Sequence, residues 1–145
     1  MSELITLAGG VLLNDDHKIL LLHRNTEALT QWEIPGGKVE PGENTEAAMR
    51  RELAEEIGVR VENARFLAQT AFGQAGKQYE YHWFEVTTPD VPRVMEPEVH
   101  DELHYFDLFR LRRMMPALSS QKTVLSPNVQ AFCKQWNEGE FRLET

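Results

Sequence analysis

Positions 4–13 are mainly apolar and include Gly9 and Gly10, and Asn14-Asp15-Asp16-His17 then supplies turn chemistry. Lys18 to Arg24 is an aliphatic run, so residues 4–24 read as a β-hairpin. Trp32-Glu33-Ile34 predicts a short strand, stopped by Pro35 and the pair Gly36-Gly37. Over residues 45–57, Met49, Leu53 and Ile57 recur at i, i+4 and i+8, which predicts an amphipathic helix. Asn44 or Thr45 suits its N-cap, and Gly58 sits where a left-handed C-terminal cap is expected. Residues 61–72 and 78–87 are rich in Val, Phe, Tyr and Thr and flank a glycine-containing turn, which predicts a second hairpin. Residues 88–101 carry several prolines and acids and read as an exposed loop. His104 to Phe106 reads as a last strand. Ser126-Pro127 starts a final helix to about Asn137.

Strands joined by hairpins, with helices between them, indicate an α+β or mixed-sheet sandwich rather than a doubly wound sheet. With 145 residues, the chain fits one domain over 1–145.

Composition narrows the function. The net charge is -8, from 23 acidic and 15 basic residues. That balance argues against a partner that is a nucleic acid polymer, which calls for a basic surface. Cys133 is the single cysteine, so a disulfide framework is excluded and a reducing compartment is expected. No apolar run approaches the length of a membrane span, and Met1-Ser2-Glu3-Leu4 lacks the order of a secretion signal. The expectation is a cytoplasmic protein without a membrane partner.

The helix itself carries the unusual chemistry. At about 100° per residue, Glu52, Glu55 and Glu56 fall within about 100° of one another. Like charges at i+3 and i+4 repel. They also lie toward the helix C-terminus, where the dipole disfavours anions. An acidic helix face alone is commonly just solvated. Three local rules broken together, however, point to a functional site. A hard divalent cation such as Mg²⁺ resolves all three conflicts, since it binds carboxylate oxygens and substrate phosphates together. Arg51 neighbours Glu52 and Glu55 and is placed to orient a carboxylate. The apolar stripe anchors the opposite side of the helix, so the acids are expected to be exposed.

Gly37, five residues, Glu43, seven residues, then Arg51-Glu52-Leu53-Ala54-Glu55-Glu56-Ile57-Gly58-Val59 resembles the Nudix box at every specified position. Pro35-Gly36-Gly37-Lys38 and Pro41-Gly42-Glu43 are similar to the MutT-like members of that family. The resemblance implies a Nudix-type α/β/α sandwich with a mixed β-sheet. It also implies hydrolysis of a nucleoside diphosphate linked to another group, with Mg²⁺ or Mn²⁺. By position, Glu55 and Glu56 would be the principal metal ligands. Glu52 would be a ligand or the base that deprotonates the attacking water. The Gly36 carbonyl would complete the metal site, and Arg51 and Glu43 would orient the helix carboxylates.

Outside the box, Arg24 is a candidate for the substrate phosphates, and Gly37 and Lys38 at the start of the box are candidates for substrate binding. Glu98 and Glu102, in the acidic stretch 96–102, are candidates for a further metal ligand or the base. Asn128 resembles the position at which MutT-like enzymes contact the base, and an amide both donates and accepts. Trp32, Phe72, Tyr79, Tyr81 and Trp83 read as core rather than as stacking platforms. His23, His82 and His104 read as partly buried structural residues, and Cys133 as a buried thiol.

The box does not name the leaving group. Signatures that resemble those of NADH, coenzyme A or ADP-ribose hydrolases are absent, which leaves a nucleoside triphosphate as the leading substrate. The alternatives are ADP-ribose, a nucleoside diphosphate sugar, a dinucleoside polyphosphate, or a nucleotide sensor without turnover. A monomer or homodimer acting on a small-molecule nucleotide is expected.

Overall fold

A computed structural model describes residues 4–74, 76–114 and 125–143. Its elements in chain order are β1 (Leu4–Leu12), β2 (Ile19–Asn25), β3 (Thr30–Glu33), β4 (Gly36–Lys38), α1 (Thr45–Ile57), β5 (Asn63–Gln74), β6 (Lys77–Thr87), β7 (His100–Phe106), α2 (Leu108–Met114) and α3 (Pro127–Asn137). One sheet has the order β4-β1-β6-β5, with β1 and β6 parallel and the other pairs antiparallel. The other has the order β3-β2-β7 and is antiparallel throughout.

The layers follow from strands that bury both faces. Ile19, Leu20, Leu21 and Leu22 of β2 are all 0% exposed. Alternation sends Leu20 and Leu22 toward Met49, Leu53 and Ile57 of α1, and Ile19 and Leu21 toward Val129 and Phe132 of α3. In β6, Phe84 and Val86 join the α1 side, whereas Tyr81 and Trp83 join the α3 side. Helix, a mixed and an antiparallel sheet, and helix therefore form the expected α/β/α sandwich. Near-continuous apolar strands are what such double coverage selects. Among the described residues, no helix is long and apolar enough to cross a membrane.

The local expectations for α1, α3 and the β5–β6 hairpin match the structure. The 4–24 hairpin does not. β1 and β2 meet at one bridge, Leu13–Ile19, and then enter different sheets. Both edges of β1 are taken by β4 and β6, and both edges of β2 by β3 and β7, so neither strand has an edge left for the other. The turn chemistry is nevertheless real, since Asn14 Oδ1 accepts the N–H groups of Asp16 and Lys18 at 2.9 and 3.0 Å. The hydrophobic pattern predicts neither the short strand β4 nor helix α2.

The loop before β7 is not simply solvated. The N–H groups of Arg93 and Met95 donate to the carbonyls of Ile57 and Glu56, at 3.0 and 3.2 Å. These satisfy carbonyls that the end of α1 would otherwise leave orphaned. His104 also differs from expectation. It is exposed on β7 and pairs with Glu102. His23 is buried, and His82 is partly buried beside Glu80. Cys133 is buried, and burial pushes its thiol up to about 12.

Candidate active site

Helix α1 presents the box from a fixed base. Asn44 Oδ1 accepts the Ala47 N–H at 2.8 Å, and Gly58 ends the helix in the left-handed conformation at φ 68°. Met49, Leu53 and Ile57 are 0% exposed and hold its apolar side in the core.

Arg51 ties the box together. Its Nε and Nη2 donate to the two Glu43 carboxylate oxygens at 2.8 and 3.0 Å. Nη2 also donates to the Lys38 carbonyl at 3.0 Å. Nη1 donates to Glu52 at 2.9 Å and to Glu55 at 3.3 Å. The bidentate guanidinium geometry suits this task. The Arg51 hydrogen bonds hold the Glu43 carboxyl down at about 2.

The three helix glutamates occupy different surroundings. Glu55 is exposed, and Glu52 is half-buried. Glu56 is 5% exposed, which corrects the expectation that all three face solvent. The physical reason is that loop 35–37 and β7 cover it. The Gly36 N–H donates to Glu56 Oε1 at 2.7 Å, and His100 Nε2 lies 3.8 Å from Oε2. Burial, reinforced by the charges of Glu52, Glu33 and Glu96, pushes the Glu56 carboxyl up to about 9. Burial also raises Glu52, against the opposing pull of Arg51.

Three residues of this neighbourhood are not among the site candidates drawn from the sequence. Glu33 is 8% exposed and accepts from three side chains. Arg24 reaches it at 2.9 and 3.1 Å, Gln31 Nε2 at 2.9 Å and His100 Nε2 at 3.1 Å. His100 is 0% exposed, and its other ring nitrogen has no partner among the described residues. Glu33, Glu56 and His100 bring ligand-type atoms within 4.8 Å of one another. Glu96 is the acid of its loop whose charge acts on both Glu52 and Glu56. A charged residue between Trp32 and Ile34, just before a proline, is the one available hint of Glu33.

Glu98 and Glu102 do not join this group. Glu98 is exposed on the turn before β7. Glu102 is exposed and clusters instead with His23 and Asp101, which pair at 2.7 Å.

The remaining candidates converge. Arg24, Gly37, Lys38 and Asn128 line one cleft of about 440 Å³, beside Glu33 and Gly36. Phe72 and Tyr79 stack along its wall with ring centroids 5.3 Å apart. They are partly exposed there, so they are not wholly core as expected, whereas Trp83 and Tyr81 are buried.

Gly37 has a specific spatial reason to be glycine. A Cβ there would lie 2.6 to 2.7 Å from the Glu52 carboxylate atoms. Gly37→Ala is therefore expected to displace the flexible Glu52 side chain rather than unfold the protein. Catalytic activity of the site should drop about 10-fold or more with a melting temperature within a few degrees of wild type. A melting temperature lowered by more than about 10 °C would show that the backbone, not Glu52, gives way.

A model of the NUDIX domain matches residues 5–125. Over 86 residues the chain is 34% identical to the 8-oxo-dGTP diphosphatase of Haemophilus influenzae, covering 58% of this chain and 63% of that protein. Over 96 residues it is 32% identical to the CTP pyrophosphohydrolase of Escherichia coli, covering 65% and 70%. A putative 8-oxo-dGTP diphosphatase of Bacillus subtilis is 41% identical over 75 residues, and the chain spans 47% of its length. Among solved structures, the MutT NUDIX hydrolase from Burkholderia pseudomallei superposes with a TM-score of 0.77 at 26% identity, covering 92% of this chain and 98% of that one. With the box on a capped helix, the sandwich around it and the domain match over most of its length, the chain belongs to the NUDIX family.

Proposed function

We propose that the protein hydrolyses nucleoside triphosphates to a nucleoside monophosphate and pyrophosphate, using Mg²⁺ or Mn²⁺. One observation carries the reading. The glutamates gathered by Arg51 and the Gly36 loop adjoin the cleft that holds Arg24, Lys38 and Asn128. That places an anion-handling end and a base-handling end in one depression. Relatives named for 8-oxo-dGTP and CTP support a nucleotide substrate.

The residues fit a hard divalent cation. Their donors are carboxylate oxygens, and Glu56 and Glu52 carry raised pKa values that a cation bound to the ionised groups would bring down again. Glu55 and Glu56 would hold the ion, with Glu52 and the Gly36 carbonyl completing the set. Glu96 is the acid from the neighbouring loop that this site would draw on. A cation bound there neutralises diphosphate charge and lowers the pKa of an attached water.

The chain's own groups do the rest. Glu52, with its raised pKa, takes the proton of the attacking water when it does not serve as a ligand. Arg24 spends its Nε and Nη2 on Glu33, which aims its remaining Nη1 at a phosphate oxygen. Glu43 and Arg51 keep the helix acids in register. Asn128 reads the base.

Incubation with Mg²⁺ and separate nucleotides tests this: ordinary and oxidised triphosphates, ADP-ribose and dinucleoside polyphosphates. Monophosphate plus pyrophosphate, abolished by chelator, is expected. Release of orthophosphate, or turnover of ADP-ribose alone, would replace the assignment. Asn128→Ala is expected to reorder the bases more than it lowers the overall rate. Equal loss on every nucleotide would remove Asn128 from base reading.

A further inference from the structure

His100 faces the interior because β7 carries one residue more than its partner strand. Leu103 and Glu102 stand across from Leu22 and His23, but His100, not Asp101, stands across from Arg24. Asp101 is thus the extra residue of a β-bulge. Strict alternation along β7 would turn Asp101 toward α1 and His100 away from it. The bulge reverses the two. Asp101 turns to the other face, where its carboxylate pairs with His23 Nδ1 at 2.7 Å and accepts from Asn25 Nδ2 at 2.8 Å. His100 takes the α1 side, which Leu22, Arg24 and Glu33 share. There it ends a row that runs from the core to the cleft. The side chains of His100, Glu33 and Arg24 are 0%, 10% and 30% exposed. His100 Nε2 lies 3.1 Å from Glu33 Oε1 and 3.8 Å from Glu56 Oε2. A nitrogen that faces carboxylates serves as a donor, so Nε2 carries a proton. Burial alone would raise the Glu33 carboxyl, but hydrogen bonds from His100, Arg24 and Gln31, with His100 foremost, hold it below its ordinary value.

We propose that His100 is a positioning residue for Arg24: turned inward by the bulge, it braces the Glu33 carboxylate from behind and so fixes the guanidinium that meets the anionic end of the substrate. This rests on the reading of the cleft as a nucleotide site. Arg24 docks on Glu33 through Nε and Nη2. Alone, that pair could swing as a unit, since both side chains are long. The bond from His100 prevents the swing because it comes from another strand and spans β2, from β7 to β3. A ring with two torsions, packed without exposure, is a rigid stop. The same geometry offers a rival role for His100, as a partner of Glu56 at the ion-binding end. The distances decide against it, because 3.8 Å is beyond a hydrogen bond and 3.1 Å is within one.

The test separates KM from kcat for CTP and 8-oxo-dGTP at saturating Mg²⁺. His100→Leu fills the space without a donor and should raise KM about 10-fold on both nucleotides, with kcat within about 3-fold of wild type. The Mg²⁺ concentration for half-maximal activity should stay where it is. His100→Gln, whose amide N–H reaches the place of Nε2, should hold KM within about 3-fold of wild type. A histidine that merely fills space would give the opposite order, with leucine the better replacement. In an Arg24→Ala background, His100→Leu should change KM less than about 2-fold. Nitrogen NMR reads the brace without turnover. The His100 ring should show a protonated Nε2. The Arg24 Nε–H signal should persist in wild type and His100→Gln and vanish by water exchange in His100→Leu.

A bare Nε2 overturns the proposal. So does a His100→Leu effect on KM that persists without Arg24, or a fall in kcat with KM unchanged. A raised Mg²⁺ requirement would tie His100 to Glu56 and overturn it too. If His100→Leu does not fold, the ring signal of wild type and the KM of His100→Gln decide the matter. If neither nucleotide is hydrolysed, the proposed activity fails, and the ring and guanidinium signals still uphold or refute the brace.

Discussion

Glu56→Gln is expected to lower nucleotide turnover by at least about 10²-fold while the metal-free protein becomes more stable at neutral and alkaline pH. The two effects share one cause. Glu56 is buried with Glu33 and Glu96 nearby, and its carboxyl is pushed from 4.5 up to about 9. Below pH 4.5 the group is protonated in both the folded and the unfolded chain, so its placement costs nothing. As pH rises, the unfolded chain releases the proton freely and the folded one holds it until about 9. Stability is therefore lost across that window, on the order of 1 kcal/mol per pH unit. A bound cation reverses the balance by displacing the proton. The substituted glutamine keeps an acceptor for the Gly36 N–H and has nothing to titrate. Melting curves in chelator from about pH 5 to about pH 9 should fall for wild type and be flatter for the variant. Parallel curves would refute the burial argument, and wild-type turnover would remove Glu56 from the chemistry.

Arg51→Lys is the second large effect. The guanidinium serves Glu43, Glu52, Glu55 and the Lys38 carbonyl at once, and an ammonium cannot span them. Groups that orient metal ligands typically contribute about 10- to 100-fold in metal affinity or activity. The Mg²⁺ concentration for half-maximal activity should therefore rise about 10-fold or more. Stability should respond on the acid side. Glu43 is held at about 2 by Arg51, so its contribution is present above pH 4.5 and is lost as pH falls toward about 2. With lysine in place of the guanidinium, that acid limb should shrink. An unchanged Mg²⁺ requirement with an unchanged acid limb would mean that Arg51 is an ordinary surface cation.

How much of this the sequence discloses depends on range. Helix α1 is legible to the residue because its cap, stripe and glycine stop act within a few positions. The box acids are legible because their crowding is itself local. The β1–β2 hairpin is a false lead because a turn is local but the allotment of strand edges is global. Glu33, His100 and Glu96 stay hidden for the same reason. Glu33 and His100 stand 67 positions apart, and only the meeting of β3 with β7 across β2 makes them neighbours. Glu56 looks exposed on a helical wheel, which knows nothing of the loop that covers it. Arg24 is a natural choice for phosphate, but its union with Glu33 through Nε and Nη2 is legible only in the fold.

The two amides of Arg93 and Met95 that close the end of α1 have a wider effect. They tie the acidic loop to the end of the helix, which fixes the chain next to Glu96 against the box. Shortening or lengthening the chain between Thr87 and Glu96 would thus shift Glu96 relative to the box glutamates. Amide-proton exchange at those two positions offers a remote gauge of how firmly the helix is seated.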